Sequence, residues 1–473
     1  MNEPTVDRDE LLSRLPPIPA VDHAAILRKL IQQSGRKVIV LDDDPTGTQT
    51  VHGIPVVTRW SVEHLTYELK DPAPASYVLT NSRSLPTTEA VALNREIAEN
   101  LREARRQTGR DFTLISRSDS TLRGHFPEEL DALTAGLQEP FDAWVICPFF
   151  EEGGRLTIDD IHYVAEGDRL VPAALTPFAA DQAFGYKNSN LRHWVVEKTA
   201  GRVPLGRIES LSLQELRCVD RTPVCEKLRS LIAGSACIVN AVVQTDLEAA
   251  VAACLEAEAQ GKRFLYRTAA SFVSVRSGIE RRPLLTPAEM ATQEGTGVLI
   301  VVGSYVPKTT AQLDHLLKHS DAVPIELDVR QVLDASTREA AVSDLARRAS
   351  DHLAADAAVV VYTSRKLVEA DADADESLVV GQTISRALVD VVRSISVRPR
   401  LLVAKGGITS SDIATQGCDV ERAVVLGQAL PGVPVWRCGP ESRLPGLPLV
   451  VFPGNVGDVD ALAVLIATWR GKQ

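Results

Sequence analysis

No Cys-x-x-Cys pair occurs anywhere in the 473 residues. The seven cysteines, at 147, 218, 225, 237, 254, 418 and 438, are odd in number and widely scattered. That excludes a zinc ribbon and a disulfide framework, and a reducing cytoplasm is expected. No run approaches the roughly 18 apolar residues of a membrane span. The opening MNEPTVDRDELLSRLPPIP has no apolar core of a secretory signal, so a soluble cytoplasmic protein is expected. Basic charge is also short. Lys and Arg number 51 against 62 Asp and Glu, for a formal net charge of −11. With no basic patch to offset it, that charge argues against nucleic acid or an anionic membrane as partner, while a small anionic substrate remains compatible. The G-x-x-x-x-G-K-[ST], G-x-G-x-x-G and H-R-D signatures are missing too. P-loop, dinucleotide-binding and protein-kinase readings therefore fail at the motif level.

What is present is ordinary in bulk, with 45% hydrophobic and 24% charged residues, in a chain long enough for two or three domains. Short apolar runs rich in β-branched residues (KVIVL, SYVLT, DFTLIS, AWVIC, ACIVNAVV, RFLYRT) alternate with helix-patterned stretches such as TTEAVALNREIAENLREARRQTG and DLEAAVAACLEAEAQG. The alternation predicts a mainly parallel sheet flanked by helices. It lapses over Ser277–Gly297 and restarts with GVLIVVGS, AVPIEL, AAVVVYTS, RLLVAKGG and LPLVVFPGN. We therefore expect an α/β protein with a lead-in over 1–35, one domain over 36–285 and a second over 286–473. The acidic stretch from Glu369 to Ser377 reads as a surface loop.

Four polar clusters follow predicted strands in the first domain. Lys37–Val56, KVIVLDDDPTGTQTVHGIPV, runs a buried strand straight into three adjacent aspartates. Neighbouring like charges repel, so a cation, a sugar hydroxyl or a reacting proton accounts for them better than an acidic turn. The others are TNSRSLP with Arg83, SRSDSTLRGHFPEEL with Asp119, Ser120 and Arg123, and CPFFEEGGRLT. Open α/β sheets bind ligands beyond the carboxyl ends of their strands. Arginine forks there suit a carboxylate, and aspartates beside hydroxyl side chains suit a sugar. His125 and His162 read as hydrogen-bonded structural histidines, since neither has a second ligand at helical spacing. In the second domain, glycine follows strand three times, at Gly303-Ser304, at Lys405-Gly406-Gly407-Ile408-Thr409 and at Gly454-Asn455. Such turns let backbone N–H groups approach phosphate oxygens.

DDDPTG, SRSDSTLRGH, CPFF, VVGS, KGGITSSDIA and FPGNVGD, in this order, resemble the four-carbon acid sugar kinase family from about Lys37 to Ala467. The resemblance implies an N-terminal domain that binds a sugar acid, a C-terminal domain that binds ATP, and an active site in the cleft between them. It implies sugar-acid contacts from Asp43, Asp44, Arg83, Asp119, Ser120 and Arg123. It also implies nucleotide contacts from Ser304, the turn of Lys405, Gly406, Gly407, Ile408 and Thr409, and Gly454. Three departures stand out: the usual D-D-x-T-G-A ends in Thr48, Ser116-Arg117 replaces a lysine common upstream of D-S-T, and the GSYVPKTT turn lacks the usual small residue after its serine. ATP with Mg²⁺ would phosphorylate the terminal hydroxyl of a threonate, erythronate or 3-oxo-tetronate type of acid, with Asp44 or Asp43 as base. No metal ligand is assigned. The partners implied are the acid and ATP, with a homo-oligomer left open.

Two other readings compete. In a haloacid-dehalogenase-like phosphatase, Asp42 would be the nucleophile of a D-x-D-x-T motif completed by Asp44 and Thr46. The later acidic motif would then be Gly457–Asp460, more than about 400 residues on and across a domain boundary, which is long for one compact unit. A non-catalytic sugar-acid sensor would not need three glycine turns in its second domain.

Overall fold

The computed structural model describes residues 3–290, 292, 294–365 and 374–470. The chain forms two α/β units, one of residues 1–51 and 59–281, the other of residues 52–58 and 282–473.

The larger sheet of the first unit is parallel throughout. Its strands run in the order Ile208–Leu211, Ser235–Val239, Ala143–Cys147, Phe264–Thr268, Phe112–Arg117, Lys37–Asp42 and Ala75–Leu79. Every residue of Lys37–Asp42 is buried, as expected of a central strand covered on both faces. Thr87–Thr108 forms the long helix anticipated from its pattern. It buries Ala90, Asn94, Ile97, Ala98, Leu101 and Ala104 along one face and stops at Gly109 with φ 67°. Beside it lies Glu128–Leu137, where Gly136 allows a close approach. A Cβ at Gly136 would sit 2.6 Å from both the Ala98 Cβ and the Arg95 carbonyl oxygen.

In the second unit, parallel strands Pro448–Phe452, Leu401–Lys405, Val298–Val302, Ala358–Thr363 and Val323–Leu327 lie in that order. An antiparallel extension adds Val433–Cys438, Arg422–Leu430 and Pro55–Val57 beyond Pro448–Phe452. The core packs Val298, Ile300, Val403, Val450 and Phe452 against Leu313, Leu462 and Ile466 from the covering helices.

Several expectations need correction. His52–Thr58, read as part of the first domain, belongs to the second unit because Pro55–Val57 pairs with Arg422–Val424. The main boundary falls after Arg281, close to the expected 285, and the lead-in is part of the first unit, with its helix His23–Ser34 packed on Gln244–Ala259. A four-stranded antiparallel sheet of Val6–Asp7, Arg169–Pro172, Ile161–Glu166 and Arg155–Ile158 went unread. So did the hairpin Arg422–Leu430/Val433–Cys438, whose first strand alternates half-buried with buried residues and includes Gly427. Of the acidic stretch at 369–377, residues 369–373 lie outside the described residues, and from Ala374 the chain is helical rather than loop.

The glycine contact generates a test. Gly136→Ala should lower stability by about 1–3 kcal/mol through overpacking, even though alanine is the better helix former. Urea unfolding followed at the tryptophans would measure it, and an unchanged or raised midpoint would contradict the close approach.

Candidate functional site

Register builds the site of the first unit. Asp42 lies opposite both Leu79 and Arg117 on its two neighbouring strands, and Arg117 in turn lies opposite Thr268. Three of the predicted clusters therefore leave adjacent strands at the same level. Arg117 Nη1 donates to Asp42 Oδ1 at 2.9 Å, and the pair is buried. Burial raises the Asp42 carboxyl to about 7, against the opposing pull of Arg117. A Cβ at Gly47 would collide with the Asp42 carboxylate, so this turn closes over it. Asp42 is thus sealed and ion-paired. Its ion pair with Arg117 and the closure of Gly47 over it speak against the nucleophile role of the phosphatase reading.

Asp44 caps the short 3-10 turn Pro45–Thr50, accepting from the Thr46 N–H at 2.8 Å, and pairs with Arg83. Burial would raise its carboxyl, but Arg83 and the Thr46 hydrogen bonds overcome this and hold it below the usual range. Asp119 accepts from Arg123 Nε at 2.7 Å and from the Thr121 hydroxyl, and lies 3.7 Å from Arg83. Burial again works the other way, yet Arg123 and Arg83 keep it ionised.

Asp43 differs from both. It is 3% exposed, and neither carboxylate oxygen has a hydrogen-bond partner. Its nearest cations are Arg117 at 3.6 Å and Arg83 at 3.9 Å. Burial pushes it up to about 6, with the two arginines only partly offsetting the rise. Gly124 makes room for it. At φ 120°, a Cβ there would lie 3.2 Å from Asp43 Oδ2 and 2.7 Å from Arg267 Nη2. Arg267 is fixed by Glu129 at 2.7 Å and Ser116 at 3.1 Å, and Glu129 also accepts from Ser82. Arg267 and Glu129 were not singled out from the sequence, and Arg117 was seen only as a member of the third cluster, with no role. The signal available was a charged residue inside an otherwise apolar strand, Arg267 in FLYRT and Arg117 ending FTLISR.

The two histidines are structural, as read. His125 Nε2 donates toward the carbonyls of Ser82 and Leu85, at 3.1 and 3.0 Å. His162 donates to the Ser120 carbonyl at 2.7 Å and accepts from Thr157, and burial lowers it to about 4. Ser120 is thereby held through its backbone.

In the second unit, Val302, Lys405 and Phe452 end three adjacent strands in register, so the three glycine turns emerge side by side. A Cβ at Gly406, where φ is 119°, would lie 2.8 Å from the Ser304 Cβ, and one at Gly454 would lie 3.1 Å from the Ser304 hydroxyl. A Cβ at Gly303 would strike the Thr409 hydroxyl. Thr309 donates to the Gly454 carbonyl at 2.9 Å, and buried Gln312 donates to Val456 and Asp458 at 2.9 and 2.8 Å, which fixes the turn at 453–458. Ser304, Gly406, Thr409 and Gly454 therefore converge. Gly407 opens the following helix, and Ile408 is exposed on it. Lys405 is turned inward. Its ammonium is fully buried over the Phe452 ring and donates to the Pro453 carbonyl at 2.6 Å, and burial lowers it to about 7.

Among the described residues, no group of three or more His, Cys, Asp or Glu is arranged to hold a metal ion, and no helix is long and apolar enough to cross a membrane. All seven cysteines are free.

Residues 38–276 match the sugar-binding N-terminal domain model, and residues 299–462 match the nucleotide-binding C-terminal domain model. Two crystal structures are similar along most of the chain. One is a Salmonella typhimurium LT2 protein provisionally described as a tRNA synthase. It has 18% identity and a TM-score of 0.65, with 92% of this chain and 100% of that one covered. The other is a Haemophilus influenzae protein of the DUF1537 family, with 20% identity, a TM-score of 0.61 and 92% and 99% coverage. At such identities the likeness shows the fold. No curated protein matches the chain.

The Asp43 environment has a consequence for stability. Folding raises this carboxyl from 3.8 to about 6, so the folded state binds the extra proton across that interval. Its contribution is complete below about pH 4 and is lost as pH rises through about 6. Asp43→Asn removes that slope. The variant should gain stability relative to the native protein between about pH 4.5 and 7.5, as read by urea unfolding at both. A difference independent of pH would mean that Asp43 titrates normally.

Proposed function

Because the chain belongs to the family that joins a sugar-binding N-terminal domain to a nucleotide-binding C-terminal domain, we propose that it is an ATP-dependent kinase of four-carbon sugar acids. The substrates are of the threonate, erythronate or 3-oxo-tetronate class, phosphorylated on the terminal hydroxyl in the cytoplasm. The observation that carries this reading is Asp43: a buried carboxylate without hydrogen-bond partners, raised to about 6, among strand-end arginines in the sugar-binding domain. A general base works best when its pKa lies near the operating pH. Asp44, the other choice for the base, is committed to Arg83 and to the Thr46 cap.

In the reaction proposed, the terminal hydroxyl oxygen attacks the γ-phosphorus, its proton passes to Asp43, and the bond to the β-phosphate bridging oxygen breaks to release ADP. Arg83 and Arg117 then stabilise the region in which Asp43 becomes neutral and the phosphoryl charge moves. The phosphates rest on the turns of Ser304, Gly406 to Thr409 and Gly454, where glycine lets the backbone come close. Lys405 acts indirectly in this reading, holding the Pro453-Gly454 turn through its carbonyl contact. In such sites Mg²⁺ keeps several waters and is held largely by substrate phosphates. It enters as part of the nucleotide substrate.

With MgATP and a panel of four-carbon sugar acids, the native protein should form ADP and a phosphorylated acid. Its rate should rise as pH increases through about 6. Asp43→Asn should cut turnover by about 10²–10⁴-fold while ATP affinity is retained. Near-normal turnover by that variant would move the base elsewhere, and phosphoester hydrolysis without ADP formation would defeat the kinase reading. For the nucleotide half, Gly406→Ala combines a positive φ with contact against Ser304. Calorimetry should find ADP binding lost in this variant and sugar-acid binding preserved. Unimpaired ADP binding would remove the turn from the nucleotide site.

A further inference from the structure

The arginines of the sugar-binding unit are not equally free to meet a substrate. Arg117 is held by Asp42, and Arg267 by Glu129. Arg83 is shared among Asp44, Asp43 and Asp119. Arg123 commits its Nε to Asp119 at 2.7 Å and keeps Nη1 3.9 Å from Asp181. A guanidinium already neutralised by an internal carboxylate gains less from a substrate carboxylate, because the new partner must compete with the old one.

Arg155 stands apart. It begins the strand Arg155–Ile158 of the small antiparallel sheet, whose register with Ile161–Val164 sets its position. Among the described residues no carboxylate lies within ion-pair distance of it. Its Nη1 donates to the Gly153 carbonyl, and its Nε is buried without a partner. Its guanidinium lies 5.7 Å from the centre of the Phe178 ring, and that of Arg123 lies 5.1 Å from the same ring. Two cations thus converge on one aromatic ring, and only one of them is paired with an acid at hydrogen-bonding distance. Burial lowers the Arg155 pKa, with Asp119 and Glu166 pulling it up and Arg123 pushing it down by smaller amounts. A partly buried guanidinium with no carboxylate at ion-pair distance gains when an anion accompanies it as the protein works.

We propose that Arg155 receives the carboxylate of the sugar acid, with Arg123 beside it, and that this contact makes the protein prefer acids to neutral sugar alcohols. The inference rests on the sugar-acid reading and refines it. The carboxylate goes to the guanidinium that no protein acid holds, and Arg83 serves instead to position Asp43, Asp44 and Asp119. A planar guanidinium suits a carboxylate, which an ammonium on a flexible stem matches less well.

The test is calorimetry on the full chain with threonate and erythronate, with threitol and erythritol as neutral controls and with ADP. The native protein should bind an acid at least about tenfold more tightly than the matching alcohol. Arg155→Gln should weaken acid binding by about 10- to 100-fold and leave the alcohols and ADP unaffected. Arg155→Lys keeps the charge without the fork and should fall between the two. It also provides the comparison if the glutamine variant melts early. Equal losses for acid and alcohol, or acid binding unchanged in both variants, would overturn the assignment and leave Arg155 as a structural tie to Gly153. If the native protein binds none of the acids, the sugar-acid reading fails and the inference fails with it.

Discussion

The constraint on which the site depends is the placement of three consecutive aspartates at the buried end of a central strand. Three carboxylates that close cannot all ionise unless cations are built in around them. The first unit supplies those cations from neighbouring strands and the turns after them, Arg117 from one side and Arg83 from the other. The compensation is unequal. Asp42 and Asp44 each take a direct guanidinium contact, whereas Asp43 has arginines no nearer than 3.6 Å. That inequality turns a run of identical residues into groups with different chemistry: a structural anchor, a turn cap and a carboxylate poised to exchange a proton.

The same logic of strand ends governs the second unit with the opposite chemistry. There the register of Val302, Lys405 and Phe452 aligns backbone turns instead of charges. Glycine is required where turns approach each other, most clearly at Gly406, where both the positive φ and the Ser304 contact exclude a side chain. One charged side chain in this region, Lys405, is spent inside the fold. Its depressed pKa follows from removing an ammonium from water with only carbonyls and a ring to receive it.

Much of this could be read from the sequence, and the exceptions have physical causes. Parallel strands buried on both faces, such as KVIVL and LLVAK, declare themselves as unbroken apolar runs, so the two α/β units and the strand-end clusters were visible. The antiparallel elements were not, because Arg155–Ile158, Ile161–Glu166 and Arg422–Leu430 are short or alternate in burial and carry turn residues between them. Arg155 was legible as part of the polar cluster CPFFEEGGRLT, but not as the start of a strand. Pairing was also out of reach. The sequence shows Asp42, Asp43 and Asp44 as equals, and only register and the closure of Gly47 and Gly124 over them decide which is sealed and which is left without partners.

Unequal compensation of the aspartates is best tested by titrating the carboxyl itself. Aspartate ¹³C-carboxyl resonances of the native protein, assigned by their loss in an Asp43→Asn sample, would follow Asp43 directly through pH. A midpoint near 6 is predicted, well above the ordinary aspartate value of 3.8. A midpoint at or below 3.8 would show that Arg83 and Arg117 compensate Asp43 as fully as Arg83 and the Thr46 cap compensate Asp44, and the proposed base would lose its physical foundation.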